Sequence, residues 1–314
     1  MPSVRSGAIH LFRLAGVDVF LHWSWFLVAA YEIQARDGRY SSVTWSIAEY
    51  LALFLIVLTH EFGHAMACRQ VGGTANRIVL WPMGGVAFVK PPQRPGATLW
   101  SIAAGPLVNV ALLPILIGAF LVSRSLGWAN TMPDAYMFVK WVLWIDTGLL
   151  IFNMLPIYPL DGGQILRSVL WFGLGRARSL MTATILGFVG VVGFIVLAVV
   201  WHSVWTGAVA VFILLNCWGG LQHARGLLRL AKLPRRQGFA CPSCRTAPPV
   251  GAYWKCGKCE QPFDTFETHG LCPHCSTQYV TTMCLDCQEQ RPMNDWVVPV
   301  YASAGVLNGS IPAR

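Results

Sequence analysis

Two long stretches of this chain contain no charged residue, and this feature limits the possible fold more than any other. They cover residues 99–122 and 180–200, and residues 204–221 form a third such stretch. As helices, the first two are long enough to cross the roughly 30 Å hydrocarbon core of a bilayer. Over the whole chain, 55% of the residues are hydrophobic and only 12% are charged. The sequence therefore predicts a membrane protein.

Three less uniform stretches are further candidate spans. They cover residues 19–31, 44–68 and 141–160, and the last two contain Glu49 and Asp146. Because basic residues precede the first stretch, it could instead be a secretory signal, but no clear small-residue cleavage site follows it. We predict an all-α polytopic membrane protein with about six transmembrane helices.

A short β-hairpin is expected between the second and third spans. Apolar runs at residues 78–81 and 86–89 flank a turn that contains Gly84 and Gly85. Two apolar runs around a glycine turn are typical of paired strands. We therefore expect a short membrane-associated hairpin in an otherwise helical domain.

The basic residues indicate an orientation in the membrane. With six spans, most Lys and Arg side chains fall on one side, in the N-terminal segment and in the loops around residues 69–94, 167–178 and 225–236. Cytoplasmic loops accumulate basic residues, so we predict a multi-pass protein of the cell membrane with both termini in the cytoplasm. Anionic lipid headgroups then account for the net charge of +9.

Eight of the ten cysteines lie after residue 240, in four Cys-x-x-Cys pairs. Each pair offers two thiolates at the spacing that a tetrahedral zinc ion needs. We expect two structural zinc ions shared by neighbouring pairs, although a crossed pairing is also open. Disulfides are disfavoured on the reducing cytoplasmic side. The expected sites are Cys241, Cys244, Cys256 and Cys259, and Cys272, Cys275, Cys284 and Cys287.

These patterns divide the chain into four segments. We predict a membrane domain in residues 1–231, a basic linker in 232–240, two zinc ribbons in 241–292 and a loose tail in 293–314. The ribbons could bind a regulator or the cytoplasmic part of a substrate, or could act only as a spacer. Because acidic and basic residues are nearly balanced there, nucleic acid is not an expected partner.

The second predicted span carries the pattern His60-Glu61-x-x-His64. On a helix both histidines project from one face, where they can bind one zinc ion with Glu61 beside an activated water. Two packing histidines are the alternative. Imidazole and carboxylate groups in a membrane helix are costly, however, unless they are paired or bind a metal. A catalytic zinc needs three protein ligands, so a third must come from elsewhere.

Asp161 is the expected third zinc ligand. The second and fourth spans run in the same direction, so Asp161, just after the fourth, reaches the same side of the membrane as His60 and His64. Asp146 lies about four turns deeper and Glu49 lies on the far side. We expect both carboxylates to make buried polar contacts rather than to bind the metal.

Four segments together resemble the site-2 protease family in order and spacing. They are His-Glu-Phe-Gly-His-Ala at 60–65, Ile-Val-Leu-Trp-Pro-Met-Gly-Gly-Val at 78–86, Ala-Gly-Pro-Leu-Val-Asn at 104–109 and Asn-Met-Leu-Pro-Ile-Tyr-Pro-Leu-Asp-Gly-Gly at 153–163. The first span, with His22-Trp23-Ser24-Trp25, is similar too, so the resemblance covers roughly residues 8–225. It implies zinc ligation by His60, His64 and Asp161, with Glu61 as the general base.

The resemblance also suggests that Asn153 holds the substrate or the developing oxyanion. Asn109 matches a polar position of the family, whereas Asp146 stands where the family would have Asn. The implied activity is zinc-dependent intramembrane proteolysis of membrane-spanning substrate proteins. Zinc lowers the pKa of its water to about 7, and Glu61 would take the proton. A substrate helix must unwind, and one edge of the hairpin could bind it as an added strand.

Other polar or small residues have simpler interpretations. We expect close helix packing at Gly187, Gly190 and Gly193 and a packing role for His22, rather than a hinge and a metal ligand. Two other functions compete with proteolysis. A cation transporter would show repeated halves and several polar sites along a pathway. A catalytically inactive adaptor would not need His60, Glu61, His64 and Asp161, yet this chain has all four.

Overall fold

The computed structural model describes residues 7–27, 29, 38–81 and 84–298, and at residues 84–86 it describes the backbone alone. Contacts within the chain divide it into two compact units, Met1–Gln222 and His223–Arg314.

The first unit begins with a four-stranded sheet. Its strands are β1 (Ala8–Leu14), β2 (Val17–His22), β3 (Thr74–Trp81) and β4 (Gly84–Lys90), in the order β1-β2-β3-β4. Strands β2 and β3 run parallel, and the other two pairs are antiparallel. The expected hairpin is therefore present as β3 and β4, but it belongs to a larger sheet than the sequence predicted.

Strand β2 changes the prediction for the first span. Residues 19–22 of the predicted helix lie in β2, and residues 28, 30 and 31 lie outside the described residues. Val17, Val19 and Leu21 are buried while the residues between them are only partly covered. Such alternation is the period of a strand with one buried face, so the apolar run begins as sheet rather than as a membrane helix.

The helices of the first unit are mostly long and apolar. They are α1 (Val43–Gln70), α2 (Pro95–Ser125), the short α3 (Trp128–Thr131), α4 (Pro133–Met154), α5 (Asp161–Val200) and α6 (Val204–Ala231), which crosses the unit boundary. In the described part of the chain, five of them, all except α3, have the length and composition to cross a membrane. The sequence predicted six.

Local sequence explains where several helices begin. The Ser42 side chain accepts a hydrogen bond from the Thr44 amide at the start of α1, and proline occupies the first turn of α2 and of α4. Both features satisfy or remove amide groups that have no partner inside the helix. Helix α5 is broken at Gly175, which has φ 75° and ψ 168°, a conformation that glycine adopts readily.

The sheet packs on the helix that carries the motif. Val19 and Leu21 of β2 and Ile78 of β3 share one buried cluster with Leu58 and Ala65 of α1. This packing holds α1 against one face of the sheet. The His60 and His64 positions are thereby fixed between the sheet and the other helices.

The second unit has short strands and a small core. Its strands are β5 (Trp254–Lys255), β6 (Pro262–Phe263), β7 (Thr281–Met283) and β8 (Gln290–Pro292), followed by a 3₁₀ helix at Met293–Trp296. Buried cysteines make up much of the core, together with Trp254, Phe266 and Trp296. Since Trp296 is 1% exposed, the folded unit continues beyond the predicted boundary at residue 292. Residues 299–314 of the predicted loose tail lie outside the described residues.

The predicted basic linker also takes part in this unit. The Arg235 guanidinium contacts both carboxylate oxygens of Asp286 at 2.7 and 3.1 Å and donates to the Leu230 carbonyl at the end of α6. Arg236 pairs with Asp264 at 2.6 Å. These contacts attach the linker to the cysteine-rich fold.

Candidate metal centre

Three potential metal ligands meet where α1 approaches the start of α5. His60 and His64 are separated by one turn of α1, and Asp161 is the first residue of α5. The Asp161 Oδ2 atom lies 3.0 Å from His60 Nε2 and 3.3 Å from His64 Nε2, and the two nitrogens are 3.1 Å apart. Both histidines are buried, and the Asp161 side chain is 13% exposed.

These distances fit a zinc ion. In a tetrahedral site with zinc to nitrogen or oxygen bonds of about 2.0–2.1 Å, neighbouring ligand atoms are about 3.3 Å apart. The three measured separations of 3.0, 3.1 and 3.3 Å are close to that value. Three ligands leave one tetrahedral position free, as in catalytic rather than structural zinc sites.

The outer nitrogens of the two histidines are held by acceptors. His64 Nδ1 lies 2.8 Å from the Ser101 carbonyl oxygen, and His60 Nδ1 lies 2.6 Å from Asn109 Oδ1. A nitrogen that donates in this way leaves Nε2 of the same ring without a hydrogen and free to bind a metal. Both rings are therefore oriented with their ligand atoms toward Asp161.

Glu61 lies beside this cluster and has a different partner. Its Oε2 atom accepts a hydrogen bond of 2.9 Å from the Ala87 amide of β4, and its side chain is buried. It is not one of the grouped ligand atoms. The carboxylate is thus held next to the potential metal position while remaining available to accept a proton.

A glycine makes room for the ligand atoms. A Cβ atom at Gly105 of α2 would lie 2.7 Å from His60 Nε2 and would also meet His64 Nε2. Glycine therefore lets α2 approach the metal position closely. Two further glycines, Gly162 and Gly163, allow the first turn of α5 to pack against the backbone at the end of α4 and in the segment that follows it.

No role was predicted for Ser101, Gly105 or Ala87 from the sequence. Ser101 and Ala87 contribute through their backbone atoms, and Gly105 contributes by having no side chain. The identity of a residue does not reveal such roles. Asn109 did have one, because it is the one amide in the otherwise apolar run of residues 102–122. A polar side chain within a membrane span is by itself a reason to suspect a functional site.

The remaining polar candidates lie away from the ligand atoms. Asp146 of α4 is fully buried and its Oδ1 accepts from Asn109 Nδ2 at 2.6 Å. Glu49 pairs with Arg39 and also accepts from the Tyr40 hydroxyl. His22 stacks on Trp81 with ring centroids 4.1 Å apart. All three make the packing or polar contacts expected of them.

Asn153, the predicted substrate or oxyanion residue, lies in the last turn of α4 and is partly buried. It is not one of the grouped metal ligands. Its role in holding a substrate remains a prediction.

The second unit contains two groups of four cysteines, and their membership corrects the predicted pairing. Neighbouring pairs do not share a site, because the first pair joins the fourth and the second joins the third. The observed groups are Cys241, Cys244, Cys284 and Cys287, and Cys256, Cys259, Cys272 and Cys275. The reason is that the chain between Cys244 and Cys284 folds back on itself as the inner site, which brings its two ends together.

The sulfur geometry fits zinc in both groups. The Cys241–Cys287 and Cys244–Cys284 sulfurs are 3.7 Å apart, and the Cys256–Cys275 and Cys259–Cys272 sulfurs are 3.5 and 3.7 Å apart. With zinc to sulfur bonds of about 2.3 Å, the tetrahedral edge is about 3.8 Å.

The electrostatics of the thiols point in the same direction. A hydrogen bond from the Cys284 thiol lowers the pKa of Cys244 to about 4, and donating that bond raises the pKa of Cys284. Burial raises the pKa of Cys287 to about 12. One thiolate therefore forms readily, while further negative charge beside it is unfavourable. A divalent cation removes this conflict and allows all four sulfurs to bind as thiolates.

Comparisons with known proteins agree with the helical part of this picture. A family model described as Peptidase family M50 matches residues 48–133 and 122–198, a region that contains the three ligands and Glu61. Zinc metalloprotease MJ0392 of Methanocaldococcus jannaschii is 30% identical over 182 residues, which are 57% of this chain and 50% of that protein. Putative zinc metalloprotease Rip3 of Mycobacterium tuberculosis is 30% identical over 226 residues, 66% of this chain and 56% of that protein.

A solved structure is similar as well. The site-2 protease from Methanocaldococcus jannaschii matches with a TM-score of 0.50 and 25% identity, over 68% of this chain and 95% of that chain. The chain spans about half the length of the curated relatives named above. The five long apolar helices among the described residues, together with these relatives, indicate a multi-pass membrane protein. By its family match, its relatives and its structural neighbour, the chain belongs to the site-2 protease family, peptidase family M50.

Proposed function

We propose that the protein is a zinc-dependent intramembrane endopeptidase that hydrolyses peptide bonds of membrane-spanning proteins. One observation carries the proposal: His60, His64 and Asp161 converge at tetrahedral spacing beside a buried glutamate, within a set of helices long enough to cross a membrane. Relatives named zinc metalloproteases support the choice of metal and of reaction class. We assign one catalytic zinc to this centre and one structural zinc to each cysteine group.

The chain supplies the parts that peptide hydrolysis needs. His60, His64 and Asp161 would hold the metal, which, when bound, would activate water and polarise the carbonyl of the scissile bond. Glu61 accepts the proton of the attacking water as general base and then donates a proton to the leaving amine. The Ala87 amide holds the Glu61 carboxylate in place for this exchange.

Strand β4 offers a binding edge for the substrate. It is the last strand of the sheet, and its Ala87 amide points away from β3 toward Glu61. A locally unwound substrate segment that adds to this edge would lie beside the general base. Asn153 is assigned to hold the substrate or the developing oxyanion. Proline substitutions along β4 that left cleavage unchanged would contradict strand addition.

The surroundings follow from the charge pattern and the cysteine sites. We place the protein in the cell membrane with both termini in the cytoplasm, because with the six spans predicted from the sequence most basic residues fall in loops on one side. Lipid headgroups contact those loops. The cysteine-rich unit binds a regulator or the cytoplasmic part of a substrate. We propose no nucleic-acid partner for it.

The test compares Glu61→Gln with the parent protein in liposomes. Zinc content is measured by elemental analysis, and cleavage is measured on a panel of model proteins with one membrane-spanning helix. We expect zinc content to be unchanged and cleavage to fall on the order of 10²- to 10⁴-fold, the usual contribution of a general base. Glu267→Gln, which removes a charge from an exposed position in the second unit, is the control and should cleave like the parent.

Two results would contradict the proposal. Undiminished cleavage by Glu61→Gln would exclude the mechanism. Zinc uptake into the liposomes by a parent protein that cleaves nothing would favour a transporter instead.

A further inference from the structure

We propose that Asp146 is a positioning residue for the metal centre, which acts through Asn109 to fix the nitrogen that His60 presents to zinc. The inference rests on the proposed zinc site and adds a residue that does not itself touch the metal or the substrate. It begins from a chain of two short hydrogen bonds that crosses three helices: His60 Nδ1 to Asn109 Oδ1 at 2.6 Å, and Asn109 Nδ2 to Asp146 Oδ1 at 2.6 Å.

The two histidines are held by different kinds of group. His64 Nδ1 faces the Ser101 carbonyl, which can only accept a hydrogen bond. Its ring must therefore carry hydrogen on Nδ1 and leave Nε2 free. His60 Nδ1 faces an amide side chain instead. An amide can present either an oxygen or an NH₂ group, so Asn109 by itself does not determine the tautomer of His60.

Asp146 removes that ambiguity. The ionised Asp146 carboxylate can only accept hydrogen bonds, and Asn109 accordingly turns its NH₂ group toward Asp146. Its carbonyl oxygen then faces His60 and can only accept a hydrogen from Nδ1. As a result, Nε2 of His60 is left free at the position where His64 and Asp161 also converge. The reversed amide would put the hydrogen on Nε2 and block metal binding.

Burial strengthens the argument. Asn109 and Asp146 are both fully buried, and in the described part of the chain Asp146 Oδ2 has no hydrogen-bond partner. A buried carboxyl group with one acceptor atom unused costs free energy, and packing alone would be served better by an apolar residue. Its single hydrogen bond goes to the amide that orients a metal ligand, which is a role that an apolar residue could not fill.

The test measures zinc affinity in full-length detergent-solubilised protein by competition with a chromogenic chelator. A His60→Ala/His64→Ala double variant gives the zinc bound by the cysteine sites alone, so that the parent minus this reference is the zinc of the helical centre. We expect Asp146→Leu to bind this zinc about 10- to 100-fold more weakly, as is usual for residues that orient metal ligands. Asp146→Asn, which can accept or donate, should fall between the parent and the leucine variant.

An exchange variant separates orientation from simple packing. In Asn109→Asp/Asp146→Asn the carboxylate at 109 would accept from His60 Nδ1 and from the amide at 146. The bond between 109 and 146 is then reversed, but the group that faces His60 Nδ1 is still an acceptor. We expect its zinc affinity to be close to that of the parent and above that of Asp146→Asn. If Asp146→Leu does not fold, this order of the two remaining variants decides the question.

Specific outcomes would overturn the inference. They are a folded Asp146→Leu protein with parental zinc affinity, or an exchange variant that binds no better than Asp146→Asn. A parent that binds no more zinc than the reference variant would instead overturn the zinc centre itself, and with it the role of Asp146.

Discussion

The helical unit offers three ligand atoms at its metal centre, whereas each cysteine group of the second unit offers four. Three ligands leave a position for water or substrate, and four close the coordination shell. The supports differ as well. His60 and His64 sit on a 28-residue helix that packs on a sheet, but the second unit has strands of two or three residues and cysteines within its core. The helical fold positions the first site, whereas we expect metal binding at the cysteine groups to stabilise the fold of the second unit.

The largest expected effect is the loss of a cysteine pair from the second unit. A Cys256→Ser/Cys259→Ser variant should lose at least the zinc ion of its own group and, with it, the fold of the second unit, since zinc binding by such sites contributes on the order of 10 kcal/mol. Limited trypsin digestion should then cut at Lys255 or Lys258, while the thermal midpoint of the helical unit stays unchanged.

The matched control for this experiment is Cys217→Ser. Cys217 lies in α6 outside both groups, and its sulfur donates to the Tyr158 carbonyl, a bond that serine can keep. A Cys256→Ser/Cys259→Ser protein that resisted trypsin like this control would show that the second unit does not depend on its metal.

The two metal regions also differ in how far their ligands could be predicted from the sequence. The motif spacing at residues 60–64 is set by a single helix, so the arrangement of His60, Glu61 and His64 follows from local periodicity alone. The position of Asp161 on the same side of the membrane could be predicted from the number of spans between it and His64. The cysteine pairing could not be predicted, because each Cys-x-x-Cys pair is local but its partner depends on how 39 intervening residues, from 245 to 283, fold back.

Strand β2 and the Asn109–Asp146 contact illustrate the other limits. The apolar residues 19–21 fit either a short strand or the start of a membrane helix, and only the pairing with β1 and β3 distinguishes the two structures. The contact from Asn109 to Asp146 joins residues that are 37 positions apart in sequence and lie on two different helices. Its existence depends on how α2 and α4 rotate against each other, which hydrophobic periodicity does not specify.

A smaller effect tests whether the helical fold positions the ligands of the first metal centre. Gly105→Ala places a methyl group against the ligand nitrogens of both histidines. We expect the zinc of the helical centre to be lost or greatly weakened while the helices remain folded, because the bundle does not require the metal. Zinc content and a thermal melt measure the two effects separately. Gly118→Ala in the same helix, with open space around the new Cβ, should behave like the parent. Unchanged zinc content in Gly105→Ala would contradict this account of the centre.

Helix packing away from the metal should matter only for stability. A Cβ at Gly187 of α5 would lie 2.5 Å from Cys217 Sγ and 2.9 Å from the Tyr158 carbonyl oxygen, whereas one at Gly193 meets nothing. Gly187→Ala should destabilise the helical unit by about 1–3 kcal/mol through overpacking. Gly193→Ala should be neutral or slightly stabilising, since alanine favours helix. Thermal midpoints in detergent measure both, and equal midpoints would contradict close packing at Gly187.

The smallest expected effect concerns Arg235, which joins the end of α6 to Asp286 within the second unit. Its ion pair is partly exposed, with both side chains 24% accessible, so Arg235→Ala should destabilise this unit by only about 0.5–1.5 kcal/mol. Lys232→Ala, an exposed neighbour, should change stability by less than about 0.5 kcal/mol. Protease resistance at graded urea concentrations measures the difference. If Arg235→Ala instead opened the unit as fully as the loss of a cysteine pair, polar contacts rather than zinc would hold it together, and the contrast between the two metal regions would fail.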